Sequence, residues 1–233
     1  NVKVIIYLTD PKATDEEGGL AMRILSVTTG RADVGHLEPV WREISKREGW
    51  ELTICTLGSH RLPLEWEERI SFFPYLHSGT PGYPTKDQGN DSPEGIAQSM
   101  AAGIRAAGWA YDYFKPDLIL VASDRWEALA AVSAALPFGI PVAHIGGGDE
   151  TTGAYDNQIR HAITKMAHLH FVAHEGAKAR VLAMGEEKWR VHQTGLPSID
   201  GIREWLERNG DSGERGEELV VIFHPPTLEL ETA

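Results

Sequence analysis

From residue 22 onward, short runs of consecutive apolar residues, many of them β-branched, alternate with longer amphipathic segments. An apolar run without polar alternation marks a strand buried on both faces, and such strands separated by helices build a parallel sheet with helices on either side. The runs at 23–28, 51–57, 118–122, 142–145, 169–173 and 191–193 are the expected strands, with 23–28 and 118–122 as central neighbours. The spacing predicts a helix over 93–114, where Ile96, Met100, Ile104, Ala107, Tyr111 and Phe114 recur three or four residues apart. Asp91-Ser92-Pro93 supplies its cap and a first-turn proline. A second helix is expected over 157–167 on the stripe Ile159, Ile163 and Met166, and a third over 198–208 carrying Ile199, Ile202, Trp205 and Leu206 inward. The fold class is α/β.

Residue 1 is Asn, and the chain stops soon after the strand-like run 219–224. Both ends read as cut. Residues 1–21 are expected to be a leader or upstream extension, because the codons of Glu16-Glu17-Gly18 can spell a purine-rich ribosome-binding sequence ahead of Met22. An edge strand over 2–8 is the alternative. The expected domains are a first unit over 22–197, a connecting helix and glycine-bearing linker over 198–218, and the opening strand of a second unit over 219–233.

A formal charge of −12 and a pI near 5.3 exclude the clustered basic surface that nucleic acid needs. An anionic ligand must be held by a few local donors. The single cysteine, Cys55, excludes an intrachain disulfide and a multi-thiolate zinc site, and its apolar surroundings predict a buried, inert thiol. No apolar stretch approaches the roughly 18–20 residues that span a bilayer. A cytoplasmic protein without membrane contact is expected.

In an open parallel sheet, ligands bind where strands end and loops lead into helices. Four such places carry polar groups. Thr29-Gly30-Arg31-Ala32-Asp33 follows the first strand, where a glycine turn admits an anion and Arg31 offers paired donors to a phosphate; an Arg31–Asp33 pair pinning the loop is the plainer reading. Ser123-Asp124-Arg125-Trp126-Glu127 follows the third strand, with Asp124 placed for acid–base work, for a sugar hydroxyl, or simply as a helix N-cap. Gly146-Gly147-Gly148-Asp149-Glu150 follows the fourth and sets several carboxylates at one mouth, unless it is a solvated acidic loop. His224 ends the last run before Pro225-Pro226, as in an interdomain site. His168, His170 and His174 are dense enough to raise a metal site, but His168 and His170 alternate faces on a strand and no thiolate joins them.

Taken in order, Thr-Gly-Arg-Ala-Asp-Val-Gly (29–35), Lys-Pro-Asp-Leu-Ile-Leu-Val-Ala-Ser-Asp-Arg-Trp-Glu (115–127), Pro-Val-Ala-His-Ile-Gly-Gly-Gly-Asp (141–149), Asp-Asn-Gln-Ile-Arg-His-Ala-Ile-Thr-Lys (156–165) and Phe-His-Pro-Pro-Thr-Leu-Glu (223–229) closely resemble the hydrolysing UDP-N-acetylglucosamine 2-epimerases of sialic-acid and legionaminic-acid pathways. The resemblance covers about 210 residues from Met22 onward. It implies the N-terminal Rossmann-like half of a glycosyltransferase-B-type two-domain fold, with a UDP-sugar in the cleft and most uridine contacts in the second half. It implies elimination of UDP to a 2-acetamidoglucal, then water addition to give N-acetylmannosamine, with no metal or nicotinamide cofactor. A homo-oligomer in full-length form and an inactive isolated half are also expected.

By position, the resemblance assigns catalysis to Asp124, Asp149, Asp156 and His224. It assigns substrate binding to Arg31, Asp33, Arg125, Glu127, Gly147, Gly148, Arg160 and His161. There are departures: Gly146 stands where the family commonly carries Glu or His, Asp149 where Glu is usual, and Asn157 where an acid is usual. Competing readings are a non-hydrolysing epimerase and an inactive sugar-nucleotide-binding homologue. A nicotinamide-dependent dehydrogenase is disfavoured, because 146–148 lacks the spaced Gly-x-Gly-x-x-Gly order and follows a late strand.

Overall fold

The computed structural model describes residues 22–57, 62, 66, 92–122 and 124–210. Its elements run β1 (Met22–Thr28), α1 (Arg31–Ser45), β2 (Trp50–Thr56), α2 (Pro93–Phe114), β3 (Leu118–Val121), α3 (Trp126–Phe138), β4 (Val142–Ile145), α4 (Asp156–Met166), β5 (Leu169–Val172), α5 (Glu175–Ala183), β6 (Val191–Gln193) and α6 (Pro197–Asn209). The sheet order is β2-β1-β3-β4-β5-β6, and every pairing is parallel. β1 and β3 are neighbours in register Ile24↔Leu118 to Val27↔Val121, as their apolar runs predict.

Each strand divides its residues between two cores, because successive side chains leave a strand on opposite faces. Leu25, Val27, Ile119, Val121 and Val142 pack with α2, α3 and α4. Ile24, Leu118, Leu120, Ala143, Ile145 and Leu169 pack on the other face with Val34, Leu37, Trp41 and Ile44 of α1. Cys55 lies in the first of these cores, where burial pushes its thiol up to about 12.

Two helices depart from the face their large apolar residues predict, α2 in part and α6 throughout, since Ala107 and Tyr111 of the α2 stripe are buried as expected. In α2 the buried residues are Gly95, Ser99, Ala102, Gly103, Ala106, Ala107, Ala110 and Tyr111, whereas Ile104 is 42% exposed. α2 and α3 approach so closely that a Cβ on Gly103 would lie 3.1 Å from that of Ala130, so small residues occupy the seam. In α6, Ile199, Ile202, Trp205 and Leu206 are all exposed rather than inward. A groove beside α1, walled by Pro39 and Arg42, borders Ile202 and Trp205.

The connection from β1 leads outward to β2, and the chain then returns to place β3 on β1's other side. The sheet therefore has its topological switch point between β1 and β3, where ligand crevices form in open α/β sheets.

Candidate functional site

Beyond the C-terminal ends of the strands lies a pocket of about 210 Å³, lined by Ala32, Asp33, His36, Ala122, Asp124, Ile145, Gly146, Asp149, Arg160 and Leu196. The start of α1 and the loops after β3, β4 and β6 thus converge on one opening, with α4 as a further wall.

Arg160 organises the pocket. It stands at the fifth residue of α4, is 7% exposed, and ties two loops to its own helix. Its Nη2 donates to Asp124 Oδ2 and, at 3.2 Å, to Thr151 Oγ1. Its Nη1 donates to the Asp149 carbonyl at 2.8 Å and to Asn157 Oδ1 at 3.0 Å. A planar guanidinium is suited to this, because five donors are fixed in one fork. Asn157 completes the clamp: its Oδ1 accepts from Thr151 N and its Nδ2 donates to Thr151 O, both at 2.8 Å.

Asp124 is not a helix cap. The N-cap of α3 is Arg125, and Asp124 pairs with Arg160 at the pocket wall. Asp156, the first residue of α4, is not among the residues lining the pocket; burial and the nearby charge of Asp124 raise its carboxyl from its ordinary value, against the opposing pull of Arg160 and Arg125. Arg125 and Glu127 pair with each other, through Nε at 3.1 Å and Nη2 at 2.9 Å; Glu127 is buried. His161 does not line the pocket; burial, Arg160 and Arg180 hold its imidazole below the ordinary range.

Other expected ligand groups are engaged within the protein. Asp33 Oδ2 accepts from Thr29 N and Thr29 Oγ1 at 2.6 Å each and from Gly30 N at 3.1 Å, so it pins the turn by backbone and hydroxyl bonds. Arg31, in contrast, is exposed at the start of α1 and is not among the lining residues. The glycine triplet splits into two roles. A Cβ on Gly147 would press on His144 and Thr164, and one on Gly148 would run into the Ala177 carbonyl oxygen, so these two permit protein packing rather than ligand approach. Gly146, at φ +77°, has open space where a Cβ would stand. His224 lies outside the described residues.

The three clustered histidines go separate ways. His168 Nδ1 accepts from Val142 N at 3.3 Å, His170 reaches Glu186 at 3.2 Å, and His174 Nε2 lies 2.8 Å from Asp149 Oδ1. Among the described residues no group of three or more His, Cys, Asp or Glu side chains could hold a metal ion. None of the described helices is long and apolar enough to cross a membrane. Reading His174 only as a possible metal ligand misses its contact with the pocket, though it stands just after β5, where the strand-end rule applies equally. Arg180 is missed as well: one α5 turn and a half further on, it bonds the Gly148 carbonyl and, at 2.6 Å, Glu150.

With this geometry in view, the chain's relatives fall into one group. It is 30% identical over 218 residues to the UDP-N,N'-diacetylbacillosamine 2-epimerase (hydrolyzing) of Legionella pneumophila, covering 90% of this chain and 57% of that protein. It is 32% identical over 224 residues to the GDP/UDP-N,N'-diacetylbacillosamine 2-epimerase (hydrolyzing) of Campylobacter jejuni, covering 89% of this chain and 56% of that protein. The chain thus spans little more than half the length of these relatives. A solved Neisseria meningitidis UDP-GlcNAc 2-epimerase bound to UDP-GlcNAc shares the fold at TM-score 0.67 and 23% identity, over 80% of this chain and 50% of that one. A lipopolysaccharide outer core galactosyltransferase shares it more distantly, at TM-score 0.51 and 13% identity, over 74% of this chain and 45% of that one. The architecture is therefore a Rossmann-like half of the glycosyltransferase-B type. The UDP-N-acetylglucosamine 2-epimerase family model matches residues 42–233, and the chain belongs to that family.

Proposed function

We propose that this chain supplies the acid–base half of a hydrolysing 2-epimerase acting on a UDP-linked 2-acetamido sugar, with UDP-N-acetylglucosamine as substrate and N-acetylmannosamine and UDP as products. The observation that carries the proposal is the convergence of Asp124, Asp149, Gly146 and the buried Arg160 on one pocket at the switch point of the sheet.

The chemistry demands such a set. A carboxylate takes the C2 proton, the C1–C2 double bond forms, and the C1–O bond breaks with its electron pair leaving on UDP. Water then adds at C1 while a proton returns to C2 on the other face. One step needs a charged carboxylate and the other a protonated one, so acids of unequal environment are required. Asp149 at the pocket wall suits the base, and Asp156, raised by burial and by Asp124, suits the proton donor. Asp124 braces the Asp149 backbone through Arg160. Arg31 and His224 are assigned to the departing diphosphate, where positive charge or a proton favours expulsion, and Arg125, Glu127 and Gly146 are assigned to the sugar. Positioning the nucleotide belongs to the second half of the relatives' length. Turnover by this stretch alone is not expected, since about an ångström of misplacement can cost a hundredfold in rate.

The relatives at 30% and 32% identity are named for a diacetylated sugar, which favours UDP-N,N'-diacetylbacillosamine as the second substrate to try. The test is incubation of the two-domain protein with either UDP-sugar in deuterium oxide. Equimolar free UDP and 2-epimer carrying one deuterium at C2 are expected. Epimer that keeps its UDP would establish the non-hydrolysing reaction instead, and binding without release would leave a sugar-nucleotide-binding protein.

A further inference from the structure

The loop after β4 leans on α5 at three points. Arg180 bonds the Gly148 carbonyl and the Glu150 carboxylate, Gly148 packs against the Ala177 carbonyl, and His174 reaches Asp149. The last contact bears on the chemistry. His174 is the N-cap of α5, and its Nδ1 accepts the Ala177 N–H at 3.2 Å. A ring nitrogen that accepts carries no proton, so the neutral imidazole bears its N–H on Nε2. Nε2 is the atom 2.8 Å from Asp149 Oδ1. Both ring nitrogens thus have a polar partner: the Ala177 N–H on Nδ1 and, within ion-pair range of Nε2, the Asp149 carboxylate.

Asp149 is held from two sides: its carbonyl by Arg160 of α4 at 2.8 Å and its carboxylate by His174. We infer that His174 is a positioning residue, which fixes the Asp149 carboxylate as an aimed anion at the pocket wall beside the open space at Gly146; this rests on reading the pocket as the sugar site. Capping alone does not account for a histidine here, because Asn, Asp and Ser cap more strongly. Nor does stability, since His174 is 60% exposed and pairs so open to water contribute little. What the imidazole adds is reach, from the start of one helix to a carboxylate on the neighbouring loop.

The test separates cap from reach in the two-domain protein. His174→Asn keeps a strong cap but is too short for Asp149, while His174→Gln restores an N–H at the longer distance with a weaker cap. His174→Asn is expected to hold its Tm and lose about tenfold to a hundredfold in kcat, with KM within about twofold. His174→Gln is expected to recover most of kcat. A His174→Asn protein that turns over like the wild type, or a Gln variant no better than Asn, overturns the inference alone. A wild-type protein that releases no UDP overturns the reading of the site, and the inference with it. In the ¹⁵N spectrum of the histidine-labelled chain, an Nε2–H tautomer at His174 whose Nε2 resonance shifts in Asp149→Ala while the tautomer persists is the expected signature, and an Nδ1–H tautomer contradicts the geometry.

Discussion

Among the described residues, the buried charges around Glu186 and those around Arg160 differ in how completely the charge is matched. Around Glu186, a carboxylate whose side chain is 2% exposed, stand Lys165, His170 at 3.2 Å and Arg190 at 2.8 Å. Burial pushes this carboxyl up, but the Lys165 hydrogen bond and the charges of His170, Arg190 and Lys165 outweigh it, so the net shift is downward. Around Arg160 the balance is reversed. One buried guanidinium serves Asp124, the Asp149 carbonyl and Asn157, with Asp156 nearby, and Asp156 is shifted upward. The first cluster closes on itself. The second has more carboxylates than buried cations and faces a pocket, which is the arrangement that leaves a proton to be exchanged.

The sharpest way to break this contrast is to neutralise one member of each cluster. Asp124→Asn in the two-domain protein is expected to lower kcat about 10²- to 10⁴-fold, while unfolding free energy changes by about 1 kcal/mol. Wild-type rates of UDP release would show that the pocket is not the reacting centre. Glu186→Ala should do the opposite, costing about 3–5 kcal/mol in urea unfolding, toward the low end because Lys165 is half in water. Its activity per folded molecule should be unchanged. A Glu186 variant as stable as the parent would remove the distinction between scaffold and site.

The sequence shows where the charges can meet better than it shows what they do there. Strand positions are legible to within a residue or so, because parallel strands buried on both faces must be consecutive apolar runs. α2 is legible in its limits, since Ser92 accepts from Gly95 N at 3.0 Å as its cap, but only in part in its face, with Ala107 and Tyr111 buried as expected and Ile104 exposed. Periodicity picks out large residues, whereas the α2–α3 seam selects alanine and glycine. The exposed stripe of α6 is visible as a stripe, yet no local pattern says what covers it. The strand-end rule finds Asp124, Gly146 and Asp149, and it cannot tell that Asp33 is spent on its own turn or that Gly147 and Gly148 serve packing. Arg160 is recognisable only by the family pattern, and His174 can be located by the strand-end rule, though its partner Asp149 shows only in three dimensions.

The pH dependence of stability sharpens the comparison further. His170 is fully buried and lowered to about 4, chiefly by burial, with Glu186 opposing and Arg190 and Lys165 adding to the fall. A histidine whose folded value is depressed is protonated in the unfolded chain first. Stability is therefore whole above about 6.5 and falls as pH drops from there toward about 4, by on the order of 3 kcal/mol. Below the ordinary carboxylate range Glu186 adds to the loss, because its own depressed carboxyl must then be protonated. Urea unfolding at a series of pH values should show this slope, and His170→Gln should flatten it between about 6.5 and 4. A slope that survives the substitution would place the titrating group elsewhere.

The smallest expected effect concerns the open side of the Arg160 cluster. Gly146 lines the pocket at φ +77°, and a Cβ there meets nothing within 4 Å. The cost of Gly146→Ala is therefore conformational alone, about 1–2 kcal/mol for an L-residue held in the left-handed region. The added methyl would enter the space that Asp124, Asp149 and Arg160 surround, so it should raise KM for a UDP-sugar more than it lowers kcat, if substrate occupies that space. Urea unfolding and steady-state kinetics on the same variant separate the two terms. A variant with the predicted loss of stability and unchanged KM would mean that the sugar sits away from Gly146, and the pocket would then have to be read from the Arg31 side of the sheet edge.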